Sequence, residues 1–212
     1  MLKLLCSSSI LAVLLLSACQ PPVTFTEPQP KDGAALSGFP QRIQGKYMRT
    51  EDSTFLRISA NSMIRIYDFN EKIHLNDLDS TEQIIGDSLY DLNTNTGKLI
   101  QFEGDSIVMH EHEIDTLFII SKLNVLKKYK GYYFVNIYNQ DKNWEVKKLG
   151  FSHSKLFLSS INSKQELEQL KAMTISTQDT MPYVFSLTRR QFKKFVRDEG
   201  FRHTEEYLKV GN

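Results

Sequence analysis

Three short stretches of this 212-residue chain carry residue types that do chemistry. Gly86-Asp87-Ser88-Leu89 sets a serine behind an acid. A serine hydroxyl becomes a nucleophile only with a base in hydrogen-bond reach and a further group to orient that base. His110-Glu111-His112-Glu113 spaces two imidazoles so that, on a strand, they share a face and can ligate one ion. Zinc normally takes three or four protein ligands, so His74, His153 or an acid brought in by folding would have to complete that site. The third stretch, Leu16-Ser17-Ala18-Cys19, closes an apolar run that starts at Met1-Leu2-Lys3 and is densest from Ile10 to Leu16. A basic start, an apolar core of roughly 7–15 residues and small residues at a cut site describe a secretory signal. The run is too short for a membrane span, which needs about 20 apolar residues.

Ending in Leu-Ser-Ala-Cys, the signal resembles the lipobox of bacterial lipoproteins. That resemblance implies cleavage before Cys19, acylation of Cys19, and residence in the cell envelope. Gln20 after the cysteine, in place of aspartate, is compatible with the outer membrane in the enterobacterial pattern. The chain as a whole resembles uncharacterised envelope lipoproteins common in Bacteroidota, a likeness that implies no activity. Gly86-Asp87-Ser88-Leu89 is similar to the first block of the GDSL esterases, whose base and orienting acid come from a late Asp-x-x-His on an α/β fold. No Asp-x-x-His occurs in this chain, and Gly104-Asp105-Ser106-Ile107 nearly repeats the tetrapeptide. Gly-Asp-Ser therefore reads as a turn entering a strand, since turns favour Gly and Asp. Gly45-Lys46-Tyr47, an antiparallel run and a late helix resemble the lipocalins, with Tyr47 where that family has its tryptophan.

Composition narrows the classes. The two cysteines are Cys6 and Cys19; if, as the lipobox resemblance implies, Cys6 leaves with the signal and Cys19 carries the lipid, the mature chain has no thiol for a disulfide or a thiolate site. Lys+Arg is 26 and Asp+Glu is 25, and loss of Lys3 leaves the mature chain formally neutral. Such a balance supplies no general drive toward nucleic acid, whose binding rests on neutralising phosphates. No cofactor is expected.

The positioning elements follow from periodicity. Five of six prolines fall between Pro21 and Pro40, so residues 19–42 are expected to be a lipidated, extended tether, reaching about 3.1 Å per residue. Residues 43–212 are expected to fold as a β-rich domain. Met63-Ile64-Arg65-Ile66-Tyr67 alternates as a half-buried strand does, and further short runs recur with turn residues between them. This pattern predicts a mainly β, antiparallel sandwich or barrel. Gly45-Lys46-Tyr47 and Gly131-Tyr132-Tyr133 open similar series, which suggests two like β units with a sub-boundary near 123–130. Two short helices are expected late. Ser163 to Glu166 and Thr188 to Gln191 are capping-box patterns, followed by Leu167, Leu170, Met173 and by Phe192, Phe195, Val196 at helical spacing. Gly200 is placed to close the second helix.

Function then follows from what these elements carry. Tyr129, Tyr132, Tyr133, Phe134, Tyr138 and Trp144 form an aromatic cluster suited to core and cross-strand pairing, or to a ligand pocket or carbohydrate platform. Arg189, Arg190, Lys193, Lys194 and Arg197 crowd the second helix and could meet an anionic lipid or glycan. The expected function is a membrane-anchored envelope lipoprotein, non-enzymatic, whose β domain binds an envelope protein, a glycan or a small apolar ligand. The alternative is a hydrolase acting through Ser88 or through a metal at His110 and His112.

Overall fold

A computed structural model describes residues 23–52, 54–178 and 181–211. The signal, Cys19 and Gln20 lie outside the described residues. The first half of the chain supplies β1 (Val23–Phe25), β2 (Ala35–Leu36), β3 (Gly45–Arg49), β4 (Phe55–Ile58), β5 (Ser62–His74), β6 (Glu82–Ile85), β7 (Ser88–Asp91), β8 (Thr96–Glu103) and β9 (Ser106–Ile119). The second half supplies β10 (Val125–Tyr129), β11 (Tyr132–Tyr138), β12 (Trp144–Ser152), β13 (Lys155–Ser160), α1 (Lys164–Met173), β14 (Ser176–Gln178), β15 (Tyr183–Phe185), α2 (Arg189–Arg197) and β16 (His203–Gly211). The fold is mainly antiparallel β with two short helices near the C-terminus, as the periodicity predicts. The strands form one open sheet. Its principal path runs β10-β11-β12-β13-β16-β3-β4-β5-β9, so β16 joins the meander β11–β13 to the meander β3–β5.

One core serves both meanders. Tyr47, Leu56, Ile58 and Met63 from one side pack with Leu126, Tyr133, Val135, Leu149 and Leu156 from the other, together with Phe118 and Tyr207. The sheet is therefore curled so that alternate residues of each strand face the same interior. The two Gly-x-Tyr starts do begin similar meanders, but these do not form separate units. Residues 123–130 are no boundary: β10 occupies most of them, and Leu126 is fully buried in the common core.

The outer face of β11 and β12 is covered by the helices. Phe134 and Val146 meet Leu167 and Leu170 of α1, Phe192 and Phe195 of α2, and Phe201. Both helices start where the capping boxes place them: Ser163 with Glu166, and Thr188 with Gln191, make the reciprocal bonds. The end of α2 departs from expectation. Glu199, at φ 63°, takes the left-handed position, and the Gly200 amide donates to the Phe195 carbonyl as in a Schellman motif. Gly200 is needed for a different reason, because a Cβ there would fall 2.5 Å from the Phe195 ring.

The Pro-rich stretch corrects the tether expectation from Val23 onward. β1 lies between β12 and β15, and Phe25, Phe39 and Ile43 are core residues. Asn136 accepts from the Gln29 amide and donates to the Gln29 carbonyl, while the Lys127 ammonium donates to the carbonyls of Pro28 and Pro30. Proline prevents a regular ladder, and these two side chains satisfy the backbone in its place.

β5 and β9 are longer than the alternation suggests. They extend beyond the common core as an arm, joined by β8, β7 and β6 around a small cluster of Leu89, Ile100, Ile107 and Met109.

Candidate functional site

The sequence-predicted chemical residues are dispersed on the arm. Ser88 opens β7, and among the described residues its hydroxyl has one hydrogen-bond partner, the neighbouring Asp87 carboxylate, at 3.3 Å. Gly86-Asp87 and Gly104-Asp105 are both two-residue hairpin turns, each with its glycine at φ 64°. A positive φ at the first turn position is what a II′ hairpin asks of glycine. The Ser88 motif is thus a turn entering a strand in both of its copies.

His110 and His112 do share a face of β9, opposite Asn70 and Asp68 of β5. His110 Nε2 lies 3.1 Å from one Asp68 oxygen, and its Nδ1 lies 3.2 Å from Asn70 Oδ1. His112 Nδ1 lies 3.9 Å from the other Asp68 oxygen. Both nitrogens of His110 thus face oxygen atoms of β5 side chains. Among the described residues no group of three or more His, Cys, Asp or Glu could hold a metal ion. His74, the other nearby candidate, bonds Asp105 at 2.8 Å and holds that carboxyl below its usual range. His153 sits in the β12–β13 turn, beside Ser152.

The basic helix builds the most distinctive surface. Phe192 and Phe195 are fully buried, Val196 is half-buried, and Arg189, Arg190, Lys194 and Arg197 are exposed. Across from this face stands the β10–β11 turn, with Tyr129 and Lys130. Between them lies a groove of about 530 Å³ bounded by Tyr129, Lys130, Arg190, Lys193, Lys194 and Arg197. The Lys193 ammonium sits 4.9 Å from the Tyr129 ring centre and that of Lys130 sits 5.8 Å from it. This is the reach of a cation–π contact. Among the described residues Lys130, Arg190, Lys193 and Lys194 have no carboxylate at ion-pair distance, while Arg197 pairs with Asp198 at 3.1 Å.

That arrangement works against the free protein. Arg190 and Lys194, like Lys193 and Arg197, are four apart on a helix, and each like-charged pair costs about 0.2–0.5 kcal/mol. Arg189 and Arg190 also sit in the first turn, which holds no acid to balance the positive end of the helix dipole. Among the described residues only Arg197, through Asp198, has a carboxylate that offsets this repulsion within the protein. Sequence reasoning singles out the α2 half of this groove and, separately, Tyr129 in the aromatic cluster; Lys130, and the meeting of the two halves, depend on a distant hairpin. The Lys127-Lys128-Tyr129-Lys130 run was its signal.

The aromatic cluster divides between core and surface. Tyr133 and Phe134 are buried on opposite faces of β11, whereas Tyr132 is 40% exposed. Tyr138 and Trp144 pack ring to ring at 4.8 Å, and the Trp144 indole N–H donates to the Leu123 carbonyl.

Among the described residues no helix is long and apolar enough to cross a membrane. Comparison of the chain with protein-family models, with curated proteins and with solved structures returns no match.

Proposed function

We propose that this protein is a lipid-anchored, non-enzymatic binding protein of the cell envelope, held on the outer membrane through Cys19, whose β domain takes an anionic partner in the α2 groove. The observation that carries the reading is the gathering of cations around that groove, of which Lys130, Arg190, Lys193 and Lys194 have no carboxylate at ion-pair distance among the described residues. The common core is filled by Tyr47, Tyr133, Tyr207 and Phe118, all fully buried or nearly so, and this favours a surface ligand over a small apolar guest inside the sheet.

Because β1 begins at Val23, few residues separate the anchor from the fold. Four residues span at most about 14 Å when fully extended. The domain therefore rides close to the bilayer instead of standing off on a long tether, and its partner is met near the membrane surface.

The test is binding of soluble polyanions to the detergent-solubilised lipoprotein. A heparin oligosaccharide and inorganic polyphosphate serve as probes over a range of salt. Binding at low salt that weakens as salt screens the charges, and that is lost in Arg190→Gln/Lys193→Gln/Lys194→Gln, supports the groove. If neither polyanion binds at low salt, or if the triple variant binds both as the parent does, the reading fails.

A further inference from the structure

The outer face of the sheet carries a second hollow beside the basic groove, and the strand register shows how the two adjoin. Tyr129 of β10 is directly opposite Tyr132 of β11. Tyr133 is opposite Leu149, which sets Tyr132 against Gly150 of β12, and Gly150 is opposite Phe157 of β13. Directly opposed residues point to the same side of a sheet, with their Cβ atoms about 4.5–5.5 Å apart. The result is one row across four strands, Tyr129-Tyr132-Gly150-Phe157, in which a glycine takes the place of a third side chain. The gap is a slot of about 350 Å³, with the half-exposed ring of Tyr132 on one side and Phe157 on the other.

Polar groups converge on the slot. Ser159 and Thr204 line it, their hydroxyls 2.9 Å apart. The Lys148 ammonium enters from the side, 5.3 Å from the Tyr132 ring centre and 5.6 Å from that of Phe201, and donates to the Gly200 carbonyl at 3.4 Å. A flat ring, two hydroxyls and an ammonium suit a hydroxylated ring with an apolar face. The Tyr129–Tyr132 pair is the wall shared by slot and groove, so a single extended ligand can lie in both.

We infer that the anionic partner is an acidic saccharide, with a sugar ring seated on the Tyr132–Gly150–Phe157 slot and its charged groups in the groove between α2 and the β10–β11 turn. This rests on the groove reading above and names the ligand class for it. Charge alone would accept any polyanion, and the slot is what selects for a sugar.

The experiment compares four probes on the detergent-solubilised lipoprotein: a heparin oligosaccharide, inorganic polyphosphate, uncharged dextran, and vesicles containing phosphatidylglycerol. Tyr132→Ala removes the exposed ring. Gly150→Ala places a methyl on the slot floor, at an ordinary contact distance of 3.5 Å from the Tyr132 ring, without backbone strain. An unchanged unfolding midpoint shows that each variant is folded, and Thr204→Val, at an exposed position, replaces either one that is not. The heparin oligosaccharide is expected to bind more tightly than polyphosphate. The slot variants are expected to weaken it on the order of tenfold while leaving polyphosphate unchanged, and the groove triple variant is expected to weaken both. Equal binding of heparin and polyphosphate, with no effect of the slot variants, would overturn the saccharide and leave a plain polyanion groove. Dextran binding as tightly as heparin would overturn the acidic part, and binding to vesicles alone would make the partner a lipid surface. If no probe binds, both the groove and the saccharide fall.

Discussion

Replacing Phe195 and Lys194 separately tests whether α2 has one face for stability and another for binding. The Phe195 side chain is fully buried, 5.6 Å from the Phe201 ring centre, and the Gly200 backbone closes over it. The cluster it belongs to draws on β1, β11, β12, β15 and both helices, so the site cannot collapse by moving one element. Phe→Ala in such a position costs about 3–5 kcal/mol. For a domain of this size each kcal/mol lowers the midpoint by about 2–4 °C, so Phe195→Ala should unfold roughly 6–20 °C earlier. Lys194 is exposed and unpaired among the described residues, and Lys194→Ala should stay within about 0.5 kcal/mol of the parent. It also removes one like-charge contact with Arg190, so any shift should be upward. Thermal unfolding followed by circular dichroism, on the same preparations used for binding, reads both. Equal losses at the two positions would refute the division of faces. So would a Phe195→Ala variant within about 1 kcal/mol of the parent, since a site that tolerates the deletion is not packed as described.

Asn136→Ala should free the Pro-rich stretch: it strands the Gln29 amide and carbonyl, at about 1–3 kcal/mol for each orphaned group, and hydrogen exchange at Gln29 should lose its protection. Unchanged exchange there would refute the clamp. Burial pushes the Tyr47 phenol up to about 12, so below pH 10 it is neutral in both folded and unfolded chains and its contribution is complete. Above that the unfolded chain ionises first, and stability should fall by roughly 2–3 kcal/mol up to pH 12. Burial raises Tyr207 in the same direction. Denaturant unfolding in this window should show the loss, reduced in Tyr47→Phe, and a flat profile would contradict it. Cys19→Ser should yield an unlipidated, mislocalised precursor, and a native protein whose mass shows no acyl group on Cys19 would remove the anchor.

What was legible in the sequence was local. Each capping box uses residues three apart, and Ser163–Glu166 and Thr188–Gln191 form as read. The alternation of Leu56 and Ile58, or of Tyr133 and Val135, reports one buried face directly. What was not legible depends on partners far along the chain. Prolines 28 and 30 look like a tether until Lys127 and Asn136 supply hydrogen-bond partners from about a hundred residues away. In β5, residues 68–72 are exposed, so their strand carries no hydrophobic period, and only pairing with β9 shows it. β16 was missed for a related reason. Tyr207 is its one fully buried side chain, yet the strand is held on both sides by β13 and β3. The slot depends on register: Tyr132, Gly150 and Phe157 come from three strands, and no spacing along the chain sets them in a row.

The position of the candidate site follows from where the helices stop. β11 is buried on both faces over Tyr133, Phe134 and Val135, because α2 and Phe201 roof the outer side there. One register step toward the β10–β11 turn the roof ends, and Tyr132 and Phe157 are left partly open. Lys148 stands at that border. It lies opposite the roofed Phe134, its ammonium reaches back to the Gly200 carbonyl, and burial pulls its pKa down. A lysine carried on a buried stretch of sheet is stabilising only if its charge finds a partner at the opening. The same edge gathers the cations of α2, whose apolar side is already committed to the second core. The helix is thereby free to vary its outer charges without loosening the fold. At the roof edge an exposed aromatic ring, a backbone gap and a group of cations meet, and each is there because the packing of α2 leaves off at that row.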